Sequence, residues 1–248
     1  MENFPLQPLY DDPDYIIFNK PSGLLALPDG YDRAKTNMRD LLIAQYGKIF
    51  IVHRLDKDTS GVICFAKNED AHRQLNRQFE SRTVKKAYHA LVSGILPEKS
   101  GVIRQPIAPF RKEPGLMRVD TRGGKESETF YEVMEEFPGH PSYSLVLVKP
   151  KTGRTHQIRV HFQFIGHPLA IDPLYGNPGA IFLSGIKRGY KKNEDVNEKP
   201  LIDRLTLHGK ELSFIHFRTG NEINIKAPLP KDFAMTLKML RKYAVGKY

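Results

Sequence analysis

The sequence has very little cysteine and no long apolar run. Of its 248 residues only Cys64 carries a thiol. An internal disulfide is therefore excluded, and thiols are lacking for a zinc knuckle or an iron–sulfur cluster. No run approaches the roughly 18 apolar residues of a membrane-spanning helix, and the first residues include Glu2, where a secretory signal carries a basic residue. These absences indicate a reducing compartment, so we expect a cytoplasmic protein with no membrane partner.

The motifs that bind nucleotides and metals are also missing. No glycine-rich loop is followed by Lys-Ser or Lys-Thr, which removes the main signature of ATP and GTP chemistry. The nine histidines are scattered, and His156 and His161 are five residues apart, which misses the i, i+4 spacing of zinc helices. The segment Thr59-Ser60-Gly61 lacks the elbow of a serine hydrolase and is more simply a turn. We therefore expect no metal site and no serine nucleophile.

Basic residues exceed acidic ones. The chain has 38 Lys and Arg against 28 Asp and Glu, a net charge of +10 and a pI near 9.5. Such a surplus favours polyanionic partners, although many basic proteins bind no nucleic acid. Apolar residues make up 40% of the chain, enough for a sizeable core, and no internal repeat or linker divides it. We expect one domain over residues 1–248.

The periodicity of apolar residues predicts mostly antiparallel strands with a few helices. Strands are predicted at 15–19, 24–27, 50–55, 62–66, 85–92, 102–107, 129–134, 144–148, 205–207, 212–217 and 222–225. Helices are predicted at 36–46, 68–81, 155–165 and 231–243. In the third helix, His156, Arg159 and Gln163 form a polar stripe opposite the apolar residues. Residues 185–200 are charged and aperiodic, which predicts a mobile surface loop.

One segment combines carboxylates with basic residues in a way that suggests catalysis. Arg54-Leu55-Asp56-Lys57-Asp58 follows a predicted strand, and the third predicted helix contributes Arg154 and Arg159. A carboxylate beside an arginine stays ionised, and an ionised carboxylate is a competent nucleophile at a sugar carbon. An Asp in such a loop more often caps a turn or forms a surface ion pair. These residues alone leave both interpretations open.

A longer string decides between them. Val52-His53-Arg54-Leu55-Asp56-Lys57-Asp58-Thr59-Ser60-Gly61-Val62 closely resembles the H-R-L-D-x-x-T-S-G signature of the RluA family of pseudouridine synthases. Further segments resemble that family and lie in its order along the chain, one before this signature and four after it, namely 19–24, 86–94, 149–161, 166–169 and 172–176. The resemblance runs from about residue 9 to residue 230. Asn19-Lys20-Pro21 comes after only 18 residues, which places the chain with the short members that lack an S4 RNA-binding domain.

The resemblance implies a fold and a set of site residues. The fold is α+β, the pseudouridine synthase catalytic fold, with a mixed, mostly antiparallel sheet and flanking helices and loops around a central cleft. The catalytic aspartate matches Asp56, the tyrosine that packs on the target base matches Tyr88, and the basic partner of the aspartate matches Arg159. Asp58 falls on an unspecified position. The residues expected to bind RNA are Lys20, His53, Arg54 and Arg154. Gly209 stands where relatives often have alanine.

The implied reaction is the cofactor-free isomerisation of uridine to pseudouridine in ribosomal RNA, transfer RNA or both. The target base must leave the helical stack before it can be reached. Asp56 would either abstract the C2′ proton on the way to a glycal or attack a sugar or base carbon, and the sequence does not choose between these routes. Two other functions compete: a non-catalytic RNA-binding or ribosome-assembly module, and a hydrolase that releases free uracil. We expect a monomer that requires no metal.

Overall fold

The structure is a computed structural model that describes residues 6–30, 32–191 and 197–244. Its strands are β1 Pro8–Asp11, β2 Tyr15–Lys20, β3 Phe50–Ile51, β4 Ser60–Ala66, β5 Lys85–Ser93, β6 Ser100–Ile103, β7 Ile107–Pro109, β8 Met117–Val119, β9 Thr129–Phe137, β10 Tyr143–Pro150, β11 Leu207–Ile215 and β12 Glu222–Lys226. Its helices are α1 Met38–Tyr46, α2 Glu69–Glu80, α3 Gln157–Phe164, α4 Leu183–Ile186 and α5 Lys231–Tyr243. Within these described ranges, no helix has the length and apolar character needed to cross a bilayer.

The chain forms two compact units. The first contains the described residues up to Tyr88 together with His208–Pro228, and the second contains His89–Leu207 and the described residues from Leu229 onward. Each unit has its own buried apolar clusters. The single catalytic domain expected from the sequence stays a prediction.

The first unit is built on a sheet whose central strands are buried on both faces. Strand β2 pairs antiparallel with β1 and β4, β3 pairs antiparallel with β4, and β12 pairs antiparallel with β11. Strands β4 and β11 run parallel. Alternate residues of β2 enter different cores: Tyr15 and Ile17 pack with α2, whereas Ile16 and Phe18 pack with α1. Two-sided burial explains why β2 and β4 read as continuous apolar runs rather than as alternating patterns.

Side-chain caps begin both helices of the first unit. The Asn37 side chain accepts a hydrogen bond from the Asp40 N–H at the start of α1, and Gly47, with a φ of 77°, follows the end of that helix. The Asn68 side chain accepts from the Ala71 N–H at the start of α2. These contacts satisfy backbone donors that a helix start leaves free. The predicted asparagine cap at residue 68 and the glycine stop at residue 47 are confirmed.

The second unit contains an antiparallel sheet and a separate hairpin. Strand β9 pairs with β10 and β6, and β7 pairs with β8. Helix α5 places Phe233, Leu237 and Leu240 in the larger apolar cluster of this unit. Helix α3 is buried along most of its length. Parallel pairing of β4 with β11 beside antiparallel pairs elsewhere makes the β-structure mixed and mostly antiparallel, as predicted.

The predicted elements differ from the structure at several places. Residues 24–27 form only an isolated bridge from Leu25 to Asn37. The run at 50–55 is a strand only at Phe50–Ile51, because Val52 and Leu55 enter different apolar clusters and anchor an irregular segment. The runs at 205–207 and 212–217 belong largely to the single strand β11. Within 185–200, α4 reaches Ile186, and residues 192–196 lie outside the described residues.

Candidate active site

Asp56 begins a turn that connects β3 to β4. The Thr59 N–H donates to the Asp56 carbonyl over 3.2 Å and closes the turn. Leu55 on one side and Thr59 on the other are buried, whereas Asp56 itself is half-buried. The flanking residues therefore fix the backbone, while Asp56 itself stays partly exposed.

A second loop braces this turn. Lys20 Nζ and the Gly23 N–H donate to the Lys57 carbonyl over 2.8 and 3.0 Å, and Ser22 Oγ donates to the Asp58 carbonyl over 2.6 Å. Lys20 is fully buried, and its ammonium also donates to the carbonyls of Pro21 and Leu24. Carbonyl acceptors offset the cost of burying this charge. The geometry gives Lys20 a structural role, and its predicted contact with RNA stays a prediction.

Tyr88 lies close enough to Asp56 to sense its charge. Burial of the phenol, reinforced by the negative charge of Asp56, raises the pKa of Tyr88 well above its usual range. The ring packs against the apolar cluster that contains Leu55 and Phe65. Tyr88 therefore keeps its proton at neutral pH and presents an uncharged aromatic ring beside the Asp56 turn.

Two glycines permit a close backbone approach next to Tyr88. Gly61 of β4 pairs with Gly209 of β11, and a Cβ added to Gly61 would lie 2.2 Å from the Gly209 carbonyl oxygen. A Cβ added to Gly209 would lie 3.5 Å from Cε1 of Tyr88, which is ordinary van der Waals contact. The alanine expected in relatives at this position would therefore fit here against the tyrosine ring.

His53 and Arg54 precede the turn and differ in their surroundings. The His53 ring stacks on Phe79 with centroids 5.1 Å apart, and its Nε2 accepts the Cys64 N–H over 2.9 Å. Burial, and then the positive charge of Lys86, lowers the pKa of His53 to about 3. Arg54 is exposed. The RNA-binding roles expected for both residues stay predictions, and the contacts of His53 show that it also holds the segment that leads to Asp56.

Arg159 belongs to the second unit, where it forms a buried ion pair. Its Nε and Nη2 donate to the two carboxylate oxygens of Asp172 over 2.8 and 2.6 Å, and its guanidinium lies 5.0 Å from the ring centroid of Tyr175. The side chains of Arg159 and Asp172 are 5% and 0% exposed. A bidentate pair of this kind holds a guanidinium in one orientation.

The predicted polar stripe of α3 is only partly exposed. Arg159 is buried, whereas His156 is half-buried and Gln163 is exposed. All residues from Gln157 to Phe162 are buried. Gln157 accepts from Thr152 Oγ1, and its amide donates to the Glu128 carbonyl and to Thr129 Oγ1. Gln157, which is not part of that stripe, thus packs through hydrogen bonds rather than facing water. Arg154, just before α3, donates through Nε to the Glu126 carbonyl over 3.0 Å.

Comparison with known proteins identifies the family. Residues 14–164, which include parts of both units, match the sequence profile of the family described as RNA pseudouridylate synthase. The chain belongs to this family. The predicted membership of the RluA group of RNA pseudouridylate synthases and the predicted reaction class, uridine isomerisation in RNA, are confirmed.

Curated relatives and solved structures of this family agree with the assignment. The chain is 37% identical over 241 residues to the RNA pseudouridine synthase YlyB of Bacillus subtilis, covering 94% of this chain and 72% of that protein. It is 37% identical over 245 residues to ribosomal large subunit pseudouridine synthase D of Neisseria meningitidis, covering 97% and 62%. The structure of human RNA pseudouridylate synthase domain containing 1 has a TM-score of 0.70 and 28% identity, covering 97% of this chain and 98% of that one.

The structure places some of the predicted site residues together. Asp56 and Tyr88 interact within the first unit, whereas Arg159 belongs to the second, so its predicted pairing with Asp56 stays a prediction. Sequence analysis missed the brace formed by Lys20, Ser22 and Gly23. It also missed Asp172 as a partner of Arg159, although Asp172 lies in a segment shared with the family.

Gly61→Ala is expected to destabilise the protein by more than about 3 kcal/mol, because the new methyl group meets a rigid backbone and the φ of 125° is unfavourable for other residues. Gly209→Ala is the matched control on the paired strand, and we expect a change below about 1 kcal/mol because its Cβ has ordinary contacts. Urea unfolding followed by circular dichroism measures both. Equal free energies of unfolding for the two variants would contradict the close approach of the Gly61 and Gly209 backbones.

His53 is expected to make the protein less stable as the pH falls from neutrality. The pKa of His53 is about 3 in the folded chain and about 6.5 when unfolded, so only the unfolded state takes up the proton between these values. The resulting stabilisation is full above pH of about 6.5 and is lost as the pH falls towards 3, with a slope approaching 1.4 kcal/mol per pH unit.

His53→Gln keeps a side-chain acceptor for the Cys64 N–H but cannot take up a proton, so its unfolding free energy should fall less steeply between pH 6.5 and 4.5. His140→Gln removes an exposed imidazole and serves as the control. If His53→Gln and the wild type lose stability in parallel over this interval, the lowered pKa of the His53 imidazole is refuted.

Proposed function

We propose that this chain converts uridines of large-subunit ribosomal RNA to pseudouridine, with Asp56 as its catalytic carboxylate. The observation that carries the assignment is the placement of Asp56 on a braced turn, close enough to the neutral phenol of Tyr88 for its charge to act on it. The names of relatives such as ribosomal large subunit pseudouridine synthase D support the choice of RNA.

The reaction rearranges bonds within one nucleotide. The bond from N1 of uracil to C1′ of the ribose breaks, C5 joins C1′, C5 loses a proton and N1 gains one. The detached base must be held while it turns, and an uncharged aromatic ring can stack on it in either orientation. Tyr88 supplies such a ring at the Asp56 turn, and the proton on its phenol would have to leave before the oxygen could accept another.

The rigidity of the Asp56 turn is suited to this task. A carboxylate that starts the reaction must approach the ribose with a defined geometry, because small displacements of a reacting group slow a reaction strongly. The three hydrogen bonds from the segment Lys20–Gly23 and the burial of Leu55 and Thr59 restrict the motion of the turn. Arg159 is proposed to assist Asp56 electrostatically.

Pseudouridine mapping of ribosomal and transfer RNA tests the proposal. Cells that lack the gene should lose pseudouridine at a defined position of large-subunit RNA, and the wild-type gene and Asp58→Asn should restore it. Asp56→Ala should not restore it. Loss of a transfer RNA site instead would redirect the substrate assignment, and restoration by Asp56→Ala would favour the non-catalytic RNA-binding function. Release of free uracil from RNA by the purified protein would identify a hydrolase.

A further inference from the structure

Lys86 is a partly buried cation that the reaction described above does not use. It lies two residues before Tyr88 on β5, so the two side chains emerge on the same face of the strand, about 7 Å apart along it. Its charge acts on the His53 ring, which precedes Asp56 by three residues. Lys86 thus lies beside both segments that carry the proposed site residues of the first unit.

Within the described ranges 6–30, 32–191 and 197–244, the ammonium of Lys86 has no hydrogen-bonded or ion-paired partner. Burial lowers the pKa of Lys86, and among the residues that the structure describes no carboxylate counteracts this effect. The fully buried Lys20 differs sharply, because three backbone carbonyls accept its protons. A partly desolvated cation without an anion is unfavourable in the free protein and becomes favourable when an anion binds.

We propose that Lys86 binds a backbone phosphate of the RNA next to the uridine that Tyr88 receives. The two side chains are separated by about 7 Å along the strand, so a phosphate held by Lys86 would lie close to a base held by Tyr88. A phosphate supplies the anion that the described part of the chain does not place beside this ammonium. Such a contact positions the RNA in the site without reading its sequence. The proposal rests on the assignment of Asp56 and Tyr88 to the uridine site.

Lys85 is a matched control for this proposal. It is the adjacent lysine on the same strand, it is exposed, and its Nζ lies 3.3 Å from the Glu222 carboxylate. Strand alternation turns it away from the face that carries Lys86 and Tyr88. Lys85→Met and Lys86→Met therefore remove the same charge from neighbouring positions with different surroundings.

The test measures binding of a fluorescein-labelled oligouridylate by fluorescence anisotropy over a series of KCl concentrations. Lys86→Met should weaken binding about 5- to 10-fold and reduce the slope of log Kd against log salt by about 0.7, the value for one phosphate contact on a single strand. Lys86→Arg should keep the slope, and Lys85→Met should change the affinity less than about twofold. Lys86→Gln replaces Lys86→Met if thermal melting shows that the methionine variant is unfolded.

Equal affinities and salt slopes for Lys86→Met and Lys85→Met would overturn the proposal. A larger Kd for Lys86→Met with an unchanged slope of log Kd against log salt would also overturn the proposal. That result would indicate lost packing rather than a lost ionic contact. The binding assay does not depend on turnover, so it separates failure of this contact from failure of Asp56 as the catalytic residue. With ribosomal RNA as substrate, Lys86→Met should raise KM while kcat stays within about twofold of the wild type.

Discussion

Asp56→Asn is expected to abolish pseudouridine formation, with a loss of roughly 10⁴-fold or more in kcat, because the residue proposed to start the reaction becomes a neutral amide. The fold should survive, since backbone contacts and buried neighbours hold the turn. The measurement is single-turnover conversion of uridine in ribosomal RNA, together with thermal melting of each variant.

Asp58→Asn provides the control for this experiment. Asp58 lies two residues further along the same turn. Its backbone carbonyl accepts the hydrogen bond from Ser22 Oγ, and the substitution leaves that carbonyl in place. We expect Asp58→Asn to keep activity within about threefold of the wild type. Turnover by a correctly folded Asp56→Asn protein at a rate similar to that of Asp58→Asn would exclude Asp56 as the catalytic residue.

Asp172→Ala is expected to destabilise the protein by about 3–5 kcal/mol, because it leaves the Arg159 guanidinium buried without its carboxylate. It also removes the acceptor of the Leu174 and Tyr175 N–H groups. Because a domain of this size is stable by about 5–15 kcal/mol, the loss should lower the urea midpoint visibly. Equilibrium urea unfolding measures the effect.

The exposed pair of Arg241 and Glu135 is the control for burial. Its two hydrogen bonds, of 2.7 and 2.6 Å, match the bidentate geometry of Arg159 and Asp172, but its side chains are 51% and 35% exposed. Glu135→Ala should therefore lower the free energy of unfolding by less than about 1 kcal/mol.

A double-mutant cycle tests whether Arg159 and Asp172 depend on each other. Arg159→Met combined with Asp172→Ala should lower the free energy of unfolding by less than the sum of the single changes. Additive costs, or similar costs for Asp172→Ala and Glu135→Ala, would contradict a buried, mutually dependent pair.

Several local features of the fold could be predicted from short sequence patterns. The asparagine cap at residue 68, the glycine stop at residue 47 and the final helix at 231–243 depend on neighbouring residues, and the structure contains each of them. The string around Asp56 also identified the reaction class, because the family signature lies in one short segment. The strand predicted at 50–55 was wrong beyond Ile51, because an apolar residue can anchor an irregular segment as well as extend a strand. Val52 and Leu55 enter different apolar clusters and anchor such a segment.

Contacts between distant parts of the chain required the tertiary structure. Nothing in the sequence around Lys20 shows that its ammonium is buried and donates a hydrogen bond to the carbonyl of Lys57, 37 residues away. Nor does the stripe of α3, which led to a predicted pairing of Arg159 with Asp56, show that Arg159 pairs with Asp172. Charged residues read from sequence as exposed, because the cost of burying a charge is offset only by partners that folding brings together. The sequence thus identified the reaction class and led to the proposal of Asp56 as the catalytic carboxylate. Packing decided that Lys20 braces the Asp56 turn and that Lys86 stays without a partner among the described residues.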